Sequence, residues 1–266
     1  MHLIDDRIIK ASFRGNHPEE RKEFRQSTCL MPISVGQAIH EGNKFKAVIK
    51  LINSSFKHCT ILVDDSVQRH TMGITNKLDN DSLYKLANAE GESWLARNKL
   101  SYDELTIPYD ILRWDHWLHN KNFANSHELV KCQYYENSVY KAAIDANIDE
   151  FLSRHLKNFQ HIKIDMQRAY RLCLDYLLEE CAVMCLWVDG AYDFEVYPSG
   201  RNLAMAATYE QLIKPKMTNY LRPVALRFKK YPGYNPSNAK TDNIASLVNC
   251  HLDQTKSLHP DNISVE

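Results

Sequence analysis

Two short stretches bring together side chains suited to moving an acyl group. In Ile33-Ser34-Val35-Gly36-Gln37, a serine follows the apolar run Cys29-Leu30-Met31-Pro32-Ile33 and precedes a segment of helical spacing. A hydroxyl between a strand end and a helix N-terminus is placed to act as a nucleophile, because the unpaired N–H groups and the positive dipole end favour developing negative charge. A serine in that setting more often serves only as an N-cap, and both readings stand. Tyr176 and Glu180 are four apart in a helical segment and so share a face, with β-carbons about 6 Å apart. Their neighbours Leu172, Leu177 and Val183 are apolar. A carboxylate facing inward there would be partly desolvated, its pKa raised toward that of a useful base. A solvated helix face is the commoner explanation of the same pattern.

Other residues offer less. Cys181 and Cys185, also four apart, read as core packing. His116 and His119 lack visible third and fourth ligands, so no metal is expected. The seven cysteines are odd in number and contain no C-x-x-C pair. That argues against a disulfide framework or structural zinc and for reduced thiols in a cytoplasmic protein. No G-x-S-x-G, G-x-G-x-x-G or P-loop occurs, which removes the usual hydrolase and nucleotide-binding signatures. Six Lys or Arg and no Asp or Glu lie between Lys214 and Lys230, interleaved with Tyr220 and Phe228. Such a stretch can lie along a phosphate backbone, although a solvated face is the more frequent reason for one.

The elements that must position these residues follow from hydrophobic spacing. Cys29–Ser34 and Thr60–Val63 read as buried parallel strands, and Ala38 to Ile52 between them as a helix, giving a βαβ unit. Helices are expected over Asp81–Leu100, Ser138–Phe159 and Asp165–Ala182, with a short one near Thr208–Ile213. Further strands are expected over Ile107–Leu112, Tyr192–Tyr197 and Val224–Phe228. The fold class is therefore α/β, Rossmann-like, with a mostly parallel sheet flanked by helices. Residues 1–27 read as a polar N-terminal arm, 28–232 as the catalytic domain and 233–266 as a weakly ordered tail. The 266 residues carry thirty-three basic and thirty-three acidic side chains, so no overall field draws the chain to nucleic acid or lipid. No stretch approaches the roughly 20 apolar residues needed to cross a bilayer, and the start lacks a signal-peptide core.

Taken together, Ile33-Ser34-Val35-Gly36-Gln37, Leu62-Val63-Asp64, Tyr176-Leu177-Leu178-Glu179-Glu180 and Tyr197-Pro198 stand in an order and at separations that resemble the tRNA-dependent cyclodipeptide synthases. The resemblance spans about residues 28–230. It implies a fold similar to the catalytic domain of class I aminoacyl-tRNA synthetases, without their ATP-binding signatures. It also implies Ser34 as nucleophile, Tyr176 and Glu180 as ligands of the substrate amine, and Tyr197 as the hydrogen-bond partner of the serine. Gln37, Tyr197 and Pro198 match the branch of the family that carries a variable residue, Tyr and Pro. Leu30, Pro32, Ile61, Val63, Val183 and Glu195 would line the first substrate pocket, with Gln37 and Pro198 alongside. Proline at 32, commonly glycine, would narrow that pocket toward a small residue such as alanine. The helix after the second strand carries only Lys85, Arg97 and Lys99 where some members have a dense arginine row for tRNA.

The implied activity joins two aminoacyl-tRNAs into a cyclic dipeptide by ping-pong acyl transfer through aminoacyl-Ser34 and a dipeptidyl-enzyme. An activated ester needs neither ATP nor another cofactor. A monomer without membrane attachment is expected. Two other readings remain: a serine hydrolase or acyltransferase on small esters, and a non-catalytic domain that binds tRNA acceptor ends.

Overall fold

The two apolar runs after residue 28 become the centre of a six-stranded sheet in the order β1-β6-β5-β2-β3-β4. β1 is Ile8–Arg14, β2 Thr28–Ser34, β3 His58–Asp64, β4 Tyr109–Arg113, β5 Phe194–Val196 and β6 Arg222–Tyr231. The computed structural model describes residues 8–15, 18–158, 164–217 and 220–231. β2 pairs in parallel with β3, from Thr28 opposite His58 to Ser34 opposite Asp64. The β3–β4, β2–β5 and β5–β6 pairs are parallel too. From β2 the chain winds outward through β3 and β4 on one side and through β5 and β6 on the other. The gap between the C-terminal ends of β2 and β5 is thus a topological switch point, where open α/β sheets bind their ligands.

Strand periodicity divides the core between the two faces. Cys29, Met31 and Ile33 of β2 and Cys59, Ile61 and Val63 of β3 share one cluster with Phe45, Val48, Ile49 and Ile52 of α2 (Gly42–Ser55). Trp94 of α4 (Asn80–Tyr102) joins them. Leu30 and Leu62, on the opposite face, pack with Val183 and Met184 of α8 (Met166–Leu186) and with Trp114 and Trp187. A third cluster joins α8 to α6 (Phe123–Glu136) and α7 (Ser138–Asn158) through Val130, Tyr140, Ile144, Ile148 and Cys173. Burying each such side chain contributes on the order of 2 kcal/mol. Because α8 packs against two clusters, it is buried on most of its circumference, and this draws polar residues of the helix inside as well.

The polar N-terminal segment, expected as an arm, instead supplies β1 at the sheet edge and α1 (Pro18–Phe24). Isolated aromatics in a charged stretch hold it there. Phe24 stacks on Phe56 with centroids 5.0 Å apart and meets Phe194 edge-on at 4.7 Å. Among the helices that escaped the sequence reading are α3 (Gln68–Met72), α5 (Trp114–Leu118) and α6, whose buried residues are only Ser126, Val130 and Tyr134. Gly91 of α4 lies where a β-carbon would come within 2.3 Å of Asp65 Oδ2, so the glycine permits close helix packing. The chain divides into two units, Ile9–Lys230 and Met1–Ile8 with Tyr231–Glu266. The tail expected over 233–266 lies outside the described residues.

Candidate active site

Ser34 ends β2 and opens a turn in which the Gln37 N–H donates to the Ser34 carbonyl at 3.2 Å. Gly36, third in the turn, takes φ +84°, a backbone conformation that favours glycine and marks a type II turn. The turn delays the helix expected here. A single 3-10 turn covers Ala38–His40, and α2 starts at Gly42 with Glu41 as its N-cap. Ser34 is therefore neither an N-cap nor at a helix N-terminus. Its N–H donates instead to His40 Nδ1 at 3.0 Å. An accepting Nδ1 puts the ring proton on Nε2, and burial drives the His40 pKa down to about 4, so the imidazole is neutral.

Ser34 Oγ lies 3.0 Å from the Tyr197 hydroxyl. Tyr197 follows β5 directly and is fixed by its own N–H, which donates to the Val224 carbonyl at 3.1 Å. Pro198 is second in the next turn, closed by the Gly200 N–H on the Tyr197 carbonyl at 2.9 Å. Burial, outweighing the Ser34 hydrogen bond, pushes the Tyr197 phenol up to about 12. From α8, the Tyr176 hydroxyl donates to Glu180 Oε1 at 3.3 Å. Burial raises Glu180 to about 7, against the opposing pull of Tyr176 and Asn202. The Tyr176 phenol is itself held well above its ordinary value by burial and by Glu180.

These four side chains line one cavity of about 470 Å³, with Pro32, Gln37, Asp64, Asn147, Trp187 and Asn202 among the other walls. Of the residues expected around the substrate, Pro32 and Gln37 are at the cavity. Leu30 and Val183 are packed into the cluster beneath it, and Ile61 and Val63 face α2 on the far side of the sheet. The reason is the two-residue period: Pro32 and Ser34 pair with Leu62 and Asp64, so those β3 residues share their face. Pro198 is buried in its turn, its carbonyl accepting from the Leu226 N–H at 3.1 Å. Glu195 is buried behind the cavity and ion-paired to Arg201 at 2.6 Å, and the Arg201 guanidinium lies over the Tyr209 ring.

Sequence reasoning assigned no role to three further residues. Asp64 was visible as a strand-end acid, and its register opposite Ser34 is the signal that finds it. His40 and Asn202 carried none: one acts through the Ser34 backbone, and the other caps α9 (Leu203–Thr208) through Oδ1 while its side chain neighbours Glu180. Three acceptor atoms on the cavity wall, Asp64 Oδ1, Asn147 Oδ1 and Glu180 Oε2, have no hydrogen-bond partner among the described residues. Buried acceptors left open in one cavity call for a ligand rich in N–H donors. Among the described residues, no three His, Cys, Asp or Glu converge as metal ligands would.

No family model matches the chain, and no curated protein matches it at the significance required. Solved structures do. A cyclodipeptide synthase from Fluoribacter dumoffii is 65% identical, with a TM-score of 0.82 over 85% of this chain and all of that one. The synthase from Candidatus Glomeribacter gigasporarum bound to Phe-tRNAPhe is 17% identical, with a TM-score of 0.64 over 81% of this chain and 93% of its own. The Mycobacterium tuberculosis structure that relates cyclodipeptide synthases to type I tRNA synthetases shares the fold at a TM-score of 0.57, with 9% identity over 84% of this chain and 94% of its own. At 65% identity along the full length of the Fluoribacter structure, the chain belongs to the cyclodipeptide synthases.

Proposed function

We propose that this synthase condenses two aminoacyl-tRNAs into a cyclic dipeptide by acyl transfer through Ser34. The observation that carries the reading is the meeting, in one cavity, of the Ser34–Tyr197 hydroxyl pair with the Tyr176–Glu180 pair. Ser34 Oγ attacks the first ester carbonyl, its proton leaves with the ribose oxygen, and an aminoacyl-Ser34 remains. Splitting the transfer in this way replaces one difficult step with two easier ones. Tyr176 and Glu180 grip the α-amine, and Glu180, titrating near neutrality, takes the ammonium proton. That amine then attacks the second ester. Attack in the opposite sense, by the second substrate's amine on the serine ester, would leave the dipeptide on tRNA. Only the first sense yields a dipeptidyl-Ser34, whose free amine closes the ring and releases the enzyme. Ring closure is intramolecular and needs little beyond a folded-back chain.

Gln37, Tyr197 and Pro198 support placement in the variable-Tyr-Pro branch. Pro32, where glycine is common, and Trp187 are among the cavity walls, which supports a small first residue such as alanine. Two aminoacyl-tRNAs per turnover, a monomeric state and a cytoplasmic location belong to the same proposal. No helix among the described residues is long and apolar enough to cross a membrane. A hydrolase would need an imidazole on Ser34 Oγ, whereas His40 receives the Ser34 backbone N–H.

Expression in bacteria with mass spectrometry of the medium tests the proposal. The chain should yield a diketopiperazine and Ser34→Ala none. Undiminished product from Ser34→Ala would remove the serine from the reaction, and ester hydrolysis without any cyclic product would favour the hydrolase.

A further inference from the structure

Each turnover requires two different amines to reach a carbonyl, and Glu180 is committed to the first of them through Tyr176. A second carboxyl stands beside the serine along the sheet. Asp64 is the register partner of Ser34 on the adjoining parallel strand. Neighbouring strands lie about 4.8 Å apart, and paired residues of a parallel ladder point to the same face, so the two side chains rise together into the cavity. Asp64 is 4% exposed and lines that cavity, and its Oδ1 is one of the acceptors without a partner. A buried carboxyl with an open oxygen costs stability, and nothing in the packing of β3 requires one there.

We propose that Asp64 is a catalytic carboxylic acid of ring closure, relaying a proton from the attacking amine to Ser34 Oγ as the dipeptidyl ester breaks. This rests on acyl transfer through Ser34. In the step, the neutral amine of the dipeptidyl group forms an amide bond to the ester carbonyl, and the carbon–Oγ bond breaks. The amine N–H passes to the open Oδ1 while the acid proton of Asp64 passes to Oγ. Asp64 ends neutral, Ser34 ends as a hydroxyl, and no further reactant is consumed.

The surroundings favour the neutral acid that such a relay starts from. Burial, followed by the like charges of Glu180 on α8, Asp65 on its own strand end and Glu195 on β5, holds Asp64 well above the ordinary carboxylate range. The neighbouring guanidiniums are engaged elsewhere, Arg113 with Asp65 at 2.6 Å and Arg201 with Glu195 at 2.6 Å. Tyr197 remains the hydrogen-bond partner that positions Oγ, and burial holds its phenol at about 12.

Asp64→Asn keeps the shape and the hydrogen-bonding capacity but not the exchangeable acid proton. Purified protein would be mixed with aminoacyl-tRNAs, quenched in acid, and followed by intact-protein mass spectrometry for adducts on Ser34 and by liquid chromatography for cyclic product. The unaltered chain should pass through both adducts and release product. Asp64→Asn should still form aminoacyl-Ser34, which also reports that it is folded. It should then accumulate dipeptidyl-Ser34 and release product about 100-fold more slowly or less, the size of a lost general acid–base group. Product release within twofold of the unaltered chain would overturn the proposal, as would loss of the first acylation together with product. If the unaltered chain itself acquires no adduct on Ser34, the acyl-transfer reading falls and the relay falls with it.

Discussion

On α8, Glu179 turns toward α3 and meets Arg69 Nη1 at 2.9 Å, His70 Nε2 at 3.1 Å and Trp114 Nε1 at 2.9 Å. Glu180 is next in the chain and about 100° further around the helix. It faces the cavity, with one phenol at 3.3 Å and an open oxygen. The two are exposed to almost the same degree, 6% and 8%. Solvent exposure therefore does not tell them apart, and their partners do. Burial pushes Glu179 up, but His70 and Arg69 outweigh it and bring the carboxyl to about 2, whereas burial prevails at Glu180 and leaves it at about 7. One glutamate is a fully satisfied anion that ties α3 and α5 to α8. The other is an incompletely satisfied acid that a substrate amine can complete. Buried charge serves the fold where every partner is supplied, and chemistry where one is withheld.

The comparison breaks most sharply by substitution. Glu179→Leu should cost about 3–5 kcal/mol, since it leaves a guanidinium, an imidazole and an indole N–H without their shared acceptor. The loss should appear as a lower urea midpoint in a protein that still acylates Ser34 while folded. Glu180→Gln should leave the midpoint unchanged or higher and slow product formation about 100-fold or more. The reverse pattern, with stability lost at Glu180 and turnover lost at Glu179, would erase the distinction.

Stability against pH sharpens it. Both residues start from an ordinary value of 4.5. The raised pKa of Glu180 means that the folded chain holds a proton the unfolded chain releases, so stability is greatest below pH 4.5 and falls as pH rises toward 7. Its size is about 3 kcal/mol. The depressed pKa of Glu179 works the other way: its contribution, also about 3 kcal/mol, is present above pH 4.5 and is lost as pH falls toward 2. Urea titrations at stepped pH should show the first slope removed in Glu180→Gln and retained in Glu179→Gln. Asp64 adds to the same slope as Glu180, so the informative quantity is the difference from the unaltered chain.

How much of this was legible follows from the same pair. The four-residue spacing of Tyr176 and Glu180 is a property of one helix, and the sequence carries it directly. The central strands were equally plain, because buried parallel strands read as unbroken apolar runs. The burial of Glu179 depends on Arg69, more than a hundred residues away, on a five-residue helix too short to leave a periodic signal. The pocket residues at 61 and 63 failed for a related reason. Which face of β3 looks at the cavity is set by its register with β2, and an uninterrupted apolar run holds no information about facing. β1 and α1 depend on Phe13 and Phe24 reaching Phe56 and Phe194, contacts that local composition does not announce.

The smallest effect expected is at the phenol that donates to Glu180. Tyr176→Phe removes the hydrogen bond at 3.3 Å without opening a large void, so the stability change should stay near 1 kcal/mol. Its consequence lies in titration. The Tyr176 hydroxyl favours the ionised form of Glu180, opposing burial. Without it, the carboxylate loses one of the donors that hold it down, and its pKa should climb above 7. The pH dependence of product formation should then keep its shape while its rising limb moves to higher pH, with the plateau lowered because the amine has lost one of its two ligands. A plateau that drops with no movement of the limb would mean that Tyr176 grips the amine but does not tune the acid. The contrast between the two glutamates would then rest on the cavity alone.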